Sequence, residues 1–131
     1  MGTIKKSIDA DLDAAIFTME GEVGGAEILN AIDSYYKGTL TKYTLWDYTK
    51  VNKNKHLTNA DIVKIGKEID AEGKARDGSF DLIVVPDLQE YGLSRIYASY
   101  GEVGKKYPNA LKTIVVRSRE EALKWIKANE R

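Results

Sequence analysis

The run Asp81-Leu82-Ile83-Val84-Val85-Pro86 constrains this chain more than any other segment. Leu82 to Val85 is apolar at every position, whereas a strand with one face in water alternates apolar and polar residues. Such a run is covered on both faces, as in a parallel sheet with helices packed against it. Downstream, Leu93, Ile96, Tyr97, Tyr100, Val103 and Tyr107 recur at helical spacing and predict a helix of about four turns, stopped by Pro108-Asn109. Leu111 to Val116 reads as a further strand. Ser118 with Glu121 forms a capping box before a last helix whose Ala122, Leu123 and Ile126 face inward. Strand, helix, strand, helix is the pattern of an α/β domain.

Toward the N-terminus, Thr3 to Ile8 and Leu12 to Gly21 read as two strands joined by Asp9-Ala10-Asp11, since aspartate favours tight turns. Gly24-Gly25 opens a helix with Ile28, Ile32, Tyr35 and Tyr36 on one stripe and Gly38 as its C-cap. Tyr43 to Tyr48 is a third strand, and the lysine- and asparagine-rich stretch Thr49 to Leu57, which has no period, predicts a surface loop. Thr58 with Asp61 caps a helix bearing Ile62, Ile65, Gly66 and Ile69, ended by Gly73 and the Arg76-Asp77-Gly78 turn. The order is ββαβαβαβα, an α/β fold with a mixed five-stranded sheet. Every strand after the second is reached through a helix, so strands two to five are expected to be parallel and adjacent, with the first antiparallel at an edge.

At 131 residues the chain fits one domain spanning 1–131. Its 20 basic and 20 acidic residues cancel, so no global field recruits nucleic acid or an anionic membrane. The absence of cysteine excludes disulfides, a thiol nucleophile and thiolate zinc sites. Met1 to Lys6 lacks the apolar core of a signal peptide, and no run approaches the roughly 20 apolar residues of a membrane helix. A cytoplasmic protein without integral membrane association is expected.

The element order, together with Tyr91-Gly92-Leu93-Ser94-Arg95-Ile96-Tyr97 and the ending Val116-Arg117-Ser118-Arg119-Glu120-Glu121-Ala122-Leu123-Lys124-Trp125-Ile126, resembles the bacterial SpoIIAA-like proteins. These are small stand-alone relatives of the STAS and SEC14-type lipid-binding domains. The resemblance implies a SpoIIAA-like β-α superhelix with its parallel strands in sequential order, and for most such proteins no established activity. Regulatory STAS proteins are similar in carrying a phosphorylatable serine at the start of the helix after the third strand, within an Asp-Ser-Ser-Gly-like motif. The corresponding stretch here is Lys55-His56-Leu57-Thr58-Asn59-Ala60-Asp61. Its only hydroxyl is Thr58, whose N-cap position explains it and leaves a phospho-acceptor role in doubt.

Other candidate sites reduce to structural chemistry. Gly21-Glu22-Val23-Gly24-Gly25 lies between strand and helix but fits neither Gly-x-Gly-x-x-Gly nor a Walker loop, and Glu22 opposes an anion. His56 is the single histidine, too few for a triad or an imidazole metal site. Asp9, Asp11 and Asp13 lack the glycine and distal glutamate of a calcium loop. Lys50, Lys53 and Lys55 make a basic, solvated loop. One constellation carries more interest. Ligands of open α/β sheets bind beyond the carboxyl ends of the strands, where Asp47, Tyr48 and Thr49 follow the third strand and Asp87 the fourth. Tyr91 and Arg95 start the next helix at that same edge, and the six residues are placed to form a polar cleft or partner contact. The bland alternative puts the neighbouring tyrosines on the helix's apolar stripe and pairs Arg95 with Glu90 or Asp87.

No catalytic, metal or cofactor motif emerges, since acid–base or nucleophilic chemistry needs an activated group with a positioned partner. The leading expectation is a non-enzymatic STAS-like module acting through protein–protein interaction, regulatory in kind. The rival is a SEC14-like carrier of a small apolar ligand or lipid, which the volume of a closed cavity would reveal. A β-α superhelix places its main helices on one side of the sheet, so the second apolar face of strands four and five needs another cover, and a homodimer whose contact includes that face is expected. The alternative is that one helix crosses to it, which makes a monomer sufficient.

Overall fold

A computed structural model describes residues 2–51, 60, 61, 64, 65, 67, 68, 78–85 and 111–130. Its sheet has the spatial order β1-β2-β3-β4-β5, formed by β1 (Thr3–Asp9), β2 (Ala14–Gly21), β3 (Tyr43–Val51), β4 (Ser79–Val84) and β5 (Leu111–Val116). β1 pairs antiparallel with β2, and every later pair is parallel, as the crossover pattern in the sequence requires. Helix α1 (Gly25–Lys37) follows β2 and helix α2 (Arg119–Asn129) follows β5. Helical backbone is also present at residues 60, 61, 64, 65, 67 and 68, between β3 and β4.

The β1–β2 hairpin closes through its aspartates. Asp9 Oδ1 accepts from the Leu12 amide at 3.2 Å, and the Asp13 amide donates to the Ala10 carbonyl at 3.3 Å. Asp13 takes a left-handed conformation, φ 53°, which aspartate tolerates better than most residues. The turn absorbs Leu12, so β2 begins at Ala14 rather than at Leu12. Asp13 also sets the start of β3: its carbonyl accepts from the Tyr43 amide at 3.1 Å and its Oδ2 from the Lys42 amide at 3.2 Å.

Each face of the sheet carries its own core. Ala15, Phe17 and Met19 of β2, Trp46 and Tyr48 of β3, and Ile83 and Val85 pack with Ile28, Ile32 and Tyr35 of α1. On the opposite face Ala14, Tyr43, Leu45, Leu82, Val84 and Val116 pack with Ala122 and Ile126 of α2. Leu82, Ile83, Val84 and Val85 are therefore all at most 2% exposed, the outcome their uninterrupted apolar run demanded. Burying each such side chain contributes about 1.5–3 kcal/mol. The bare second face on which the homodimer expectation rested is not present there, because α2 crosses to cover it. A monomer is sufficient for this packing.

The end of β3 and the capping of α2 also differ from the sequence reading. β3 continues through Thr49 and Lys50 to Val51, a stretch expected to be loop. Thr18 pairs with Asp47 but Glu20 pairs with Lys50, so β3 carries one extra residue there, a β-bulge. The bulge flips the alternation, so that Val51 rather than Lys50 joins Trp46 and Tyr48 in the α1-side core. A sequence window sees only a broken period. At the start of α2, Ser118 Oγ accepts from the Glu121 amide at 3.1 Å, but the reciprocal arm lands one residue early: Glu121 Oε2 accepts from the Arg117 amide at 3.1 Å. The helix expected over Leu93 to Tyr107 lies outside the described residues, as do His56, Thr58, Asp87, Tyr91 and Arg95.

Candidate functional site

At the carboxyl edge of the sheet, on the face covered by α2, Asp47 is the centre of a polar cluster. It is the last residue of β3 before the bulge, and the bulge turns Thr49 back toward it. Asp47 Oδ1 accepts from the Thr49 amide at 2.9 Å and from the Thr49 hydroxyl at 2.6 Å. Asp47 Oδ2 faces the guanidinium of Arg119, the first residue of α2, with Nε and Nη2 each at 3.1 Å. Nη2 of Arg119 also donates to Thr18 Oγ1 on β2 at 2.6 Å. β2, β3 and the N-terminus of α2 thus meet in one network.

The Asp47 side chain is 10% exposed and that of Arg119 is 41% exposed, so the carboxylate is withdrawn from water while part of the guanidinium stays in it. Four donor groups surround the carboxylate, and its charge is matched by that of the guanidinium. An aspartate so engaged joins β3 to the start of α2, and through Arg119 to β2.

Of the sequence candidates, Asp47 and Thr49 meet directly. Tyr48 lies on the opposite face, 9% exposed, in the core that α1 covers. Sequence reasoning missed Thr18 and Arg119. Two signals pointed to them: Thr18 is a hydroxyl residue between Phe17 and Met19 of a strand, and Arg119 directly follows the capping Ser118 of a helix that begins at the carboxyl end of a strand. Glu20 and Lys50 approach to 3.8 Å beyond the bulge, both exposed. The glycine-rich stretch after β2 is a tight turn in which the Val23 amide donates to the Gly21 carbonyl at 3.1 Å, with Gly21 at φ 77°. There Glu27 Oε2 accepts from the Gly24 amide at 3.2 Å, so a carboxylate of α1 itself occupies the helix N-terminus.

A second feature lies on the α1 face at the β1 margin of the sheet. An open groove of about 370 Å³ is bounded by Ile4, Lys6, Phe17, Glu27, Asn30, Ala31 and Ser34. Lys6 Nζ sits 5.6 Å from the centre of the Tyr35 ring. No described helix is long and apolar enough to cross a membrane.

These elements define an α/β protein of the SpoIIAA-like fold, a five-stranded mixed sheet with helices on both faces. Two solved structures share that fold over nearly the whole chain. One is an uncharacterised DUF3478-family protein with a SpoIIAA-like fold from Shewanella loihica PV-4, 16% identical, with 95% of this chain and 93% of that one covered at a TM-score of 0.52. The other is an anti-sigma factor antagonist from Mycobacterium paratuberculosis, 14% identical, with 97% and 95% covered at a TM-score of 0.54. At these identities the likeness is one of fold. No protein-family model matches the sequence, and no curated protein matches it.

Proposed function

We propose that the chain is a non-enzymatic STAS-like module that acts, in a regulatory capacity, by binding another protein. The observation that carries this reading is the groove between β1 and α1. It is open, with Ile4 and Ala31 as apolar surface over the buried Phe17 and Lys6, Glu27, Asn30 and Ser34 as polar surface. That mixture suits a protein contact, with an apolar patch and a polar rim, better than the enclosed apolar pocket a lipid carrier uses to bury most of its ligand. The saturated Asp47 carboxylate supports a role without catalysis. The like fold of an anti-sigma factor antagonist adds weight to a protein partner.

Native mass spectrometry of the chain purified from cells, before and after mild cross-linking, tests the proposal. The expected result is a ligand-free mass and a cross-linked adduct with one other protein in fixed ratio. A stoichiometric small apolar adduct on the uncross-linked chain, without any protein adduct, would instead establish the carrier.

A further inference from the structure

β1 ends the sheet on one side and pairs with β2 alone. Its seven residues span about 23 Å, and their outward backbone groups have no strand beside them among the described residues. Such an edge is a template for another strand. Ile4, Lys6 and Ile8 stand opposite Met19, Phe17 and Ala15, on the α1 side; Thr3, Lys5 and Ser7 point to the other side. Ile8 is 53% exposed, the most exposed large apolar residue among those described.

The middle of this edge is basic, with Lys5 and Lys6 side by side, while Asp9 at its end is turned to the hairpin, where its Oδ1 accepts from the Leu12 amide. Neither Lys5 nor Lys6 forms an ion pair among the described residues. Three carboxylates of the neighbouring elements are engaged elsewhere: Glu27 by the Gly24 amide, Glu20 by Lys50 and Asp33 by Lys37 at 2.8 Å. A second copy of this chain is a poor occupant. In the centred antiparallel register Lys6 would face Lys6, and one residue to one side of it Lys5 would face Lys6, like charges that destabilise a strand pair. Sliding the other way relieves the clash only by giving up paired residues and the facing of Ile4 with Ile8.

We propose that β1 receives an extended segment of a partner protein as an added strand, with two adjacent acidic residues set against Lys5 and Lys6 and apolar residues against Ile4 and Ile8. The proposal rests on the protein-binding reading and names the chemistry of the partner. Read along β1, the segment is apolar, acidic, acidic, any residue, apolar, or the reverse for antiparallel addition. Main-chain hydrogen bonds supply affinity, and the side chains turned toward α1 enter the groove beside Ile4 and Phe17. The lysines then select: they reject a basic or identical strand and accept an acidic one.

Selection of a random-peptide library displayed on phage against the whole chain tests this. Enriched peptides are expected to share paired acidic residues flanked by apolar ones, and a synthesised member should shift amide resonances of Thr3–Asp9 and of the α1 residues lining the groove. Reversing both charges, with Lys5→Glu and Lys6→Glu, is expected to weaken that peptide by about tenfold or more, and a peptide with lysines in place of its acids should regain affinity for the variant. Both lysines are exposed, and an unchanged amide spectrum elsewhere verifies that the variant is folded. No enrichment, enriched peptides without acidic pairs, shifts away from β1, or β1 protection that rises with protein concentration would each overturn the proposal, the last in favour of a second copy. A protein adduct that cross-links away from β1 would leave the protein-binding reading standing while removing this one.

Discussion

Thr44 of β3 donates its hydroxyl hydrogen to Asp81 Oδ1 of β4 across 2.5 Å, and the two residues are 0% and 2% exposed. They are register partners in the parallel β3–β4 pair. A carboxylate at the head of the apolar run is tolerated because it is hydrogen-bonded; buried without donors it would be far more costly. Thr44→Val keeps the shape and removes the donor. It is expected to lower stability by about 1–3 kcal/mol. Urea denaturation measures this, and an unchanged midpoint would show that Asp81 does not depend on Thr44.

Arg119 joins α2 to both β2 and β3, through Thr18 and Asp47. Arg119→Ala leaves a mostly buried carboxylate with only its Thr49 donors, an expected loss of about 1–3 kcal/mol. Arg119→Lys should recover only part of that, because an ammonium does not reproduce the guanidinium fork that reaches Asp47 and Thr18 together. If Arg119→Ala, Arg119→Lys and the parent chain unfold at the same urea concentration, the cluster has no part in holding α2.

The strand formers of β2, the uninterrupted apolar run of β4, the stripe of α1 and the serine cap of α2 were all legible in the sequence. Each is a local rule acting over a few residues. What was not legible depends on contacts between segments far apart in sequence. The bulge after Asp47 breaks the period of β3 and hid Val51, while the pairing of Asp47 with Arg119 joins residues 72 positions apart. Whether α2 lies on the same face of the sheet as α1 or the opposite one depends on the crossovers, and no helix periodicity specifies it.

Gly25 exists where it does because of Asp61. A Cβ on Gly25 would lie 2.3 Å from Asp61 Cγ and 2.5 Å from Asp61 Cβ, distances too short to be relieved by the far end of a flexible side chain. Alanine at a helical glycine ordinarily gains up to about 1 kcal/mol. Here the clash opposes that gain, and Gly25→Ala is expected to destabilise. Combined with Asp61→Gly, the same substitution should turn neutral or stabilising, giving a double-mutant coupling of at least about 1 kcal/mol. Additive losses would rule out the close approach.

The end of α2 is fastened to the start of β3 by a charged clamp. Glu130 Oε2 accepts from Lys42 Nζ at 2.7 Å and from the Tyr43 hydroxyl, and Asn129 Nδ2 donates to the Tyr43 oxygen at 2.9 Å. The hydrogen bond from Lys42, then that from Tyr43, holds the Glu130 carboxyl below the ordinary glutamate range, and the same contact raises Lys42. Burial is the leading cause that pushes the Tyr43 hydroxyl up, with its bond to Glu130 adding to it. Folded Glu130 therefore releases its proton more readily than it does unfolded. Its contribution is complete above the ordinary value of about 4.3 and disappears as pH falls through the lower folded value. Lys42 has the opposite dependence: its contribution is complete below about 10.4 and is lost as pH rises through the raised folded value. Following the Glu130 side-chain carboxyl carbon by NMR across acid pH should give a midpoint below the ordinary glutamate value. Lys42→Ala should move that midpoint up further than Tyr43→Phe does, because the lysine is the larger cause. A midpoint at the ordinary value in the parent chain, unmoved by either substitution, would mean that the clamp does not persist in solution.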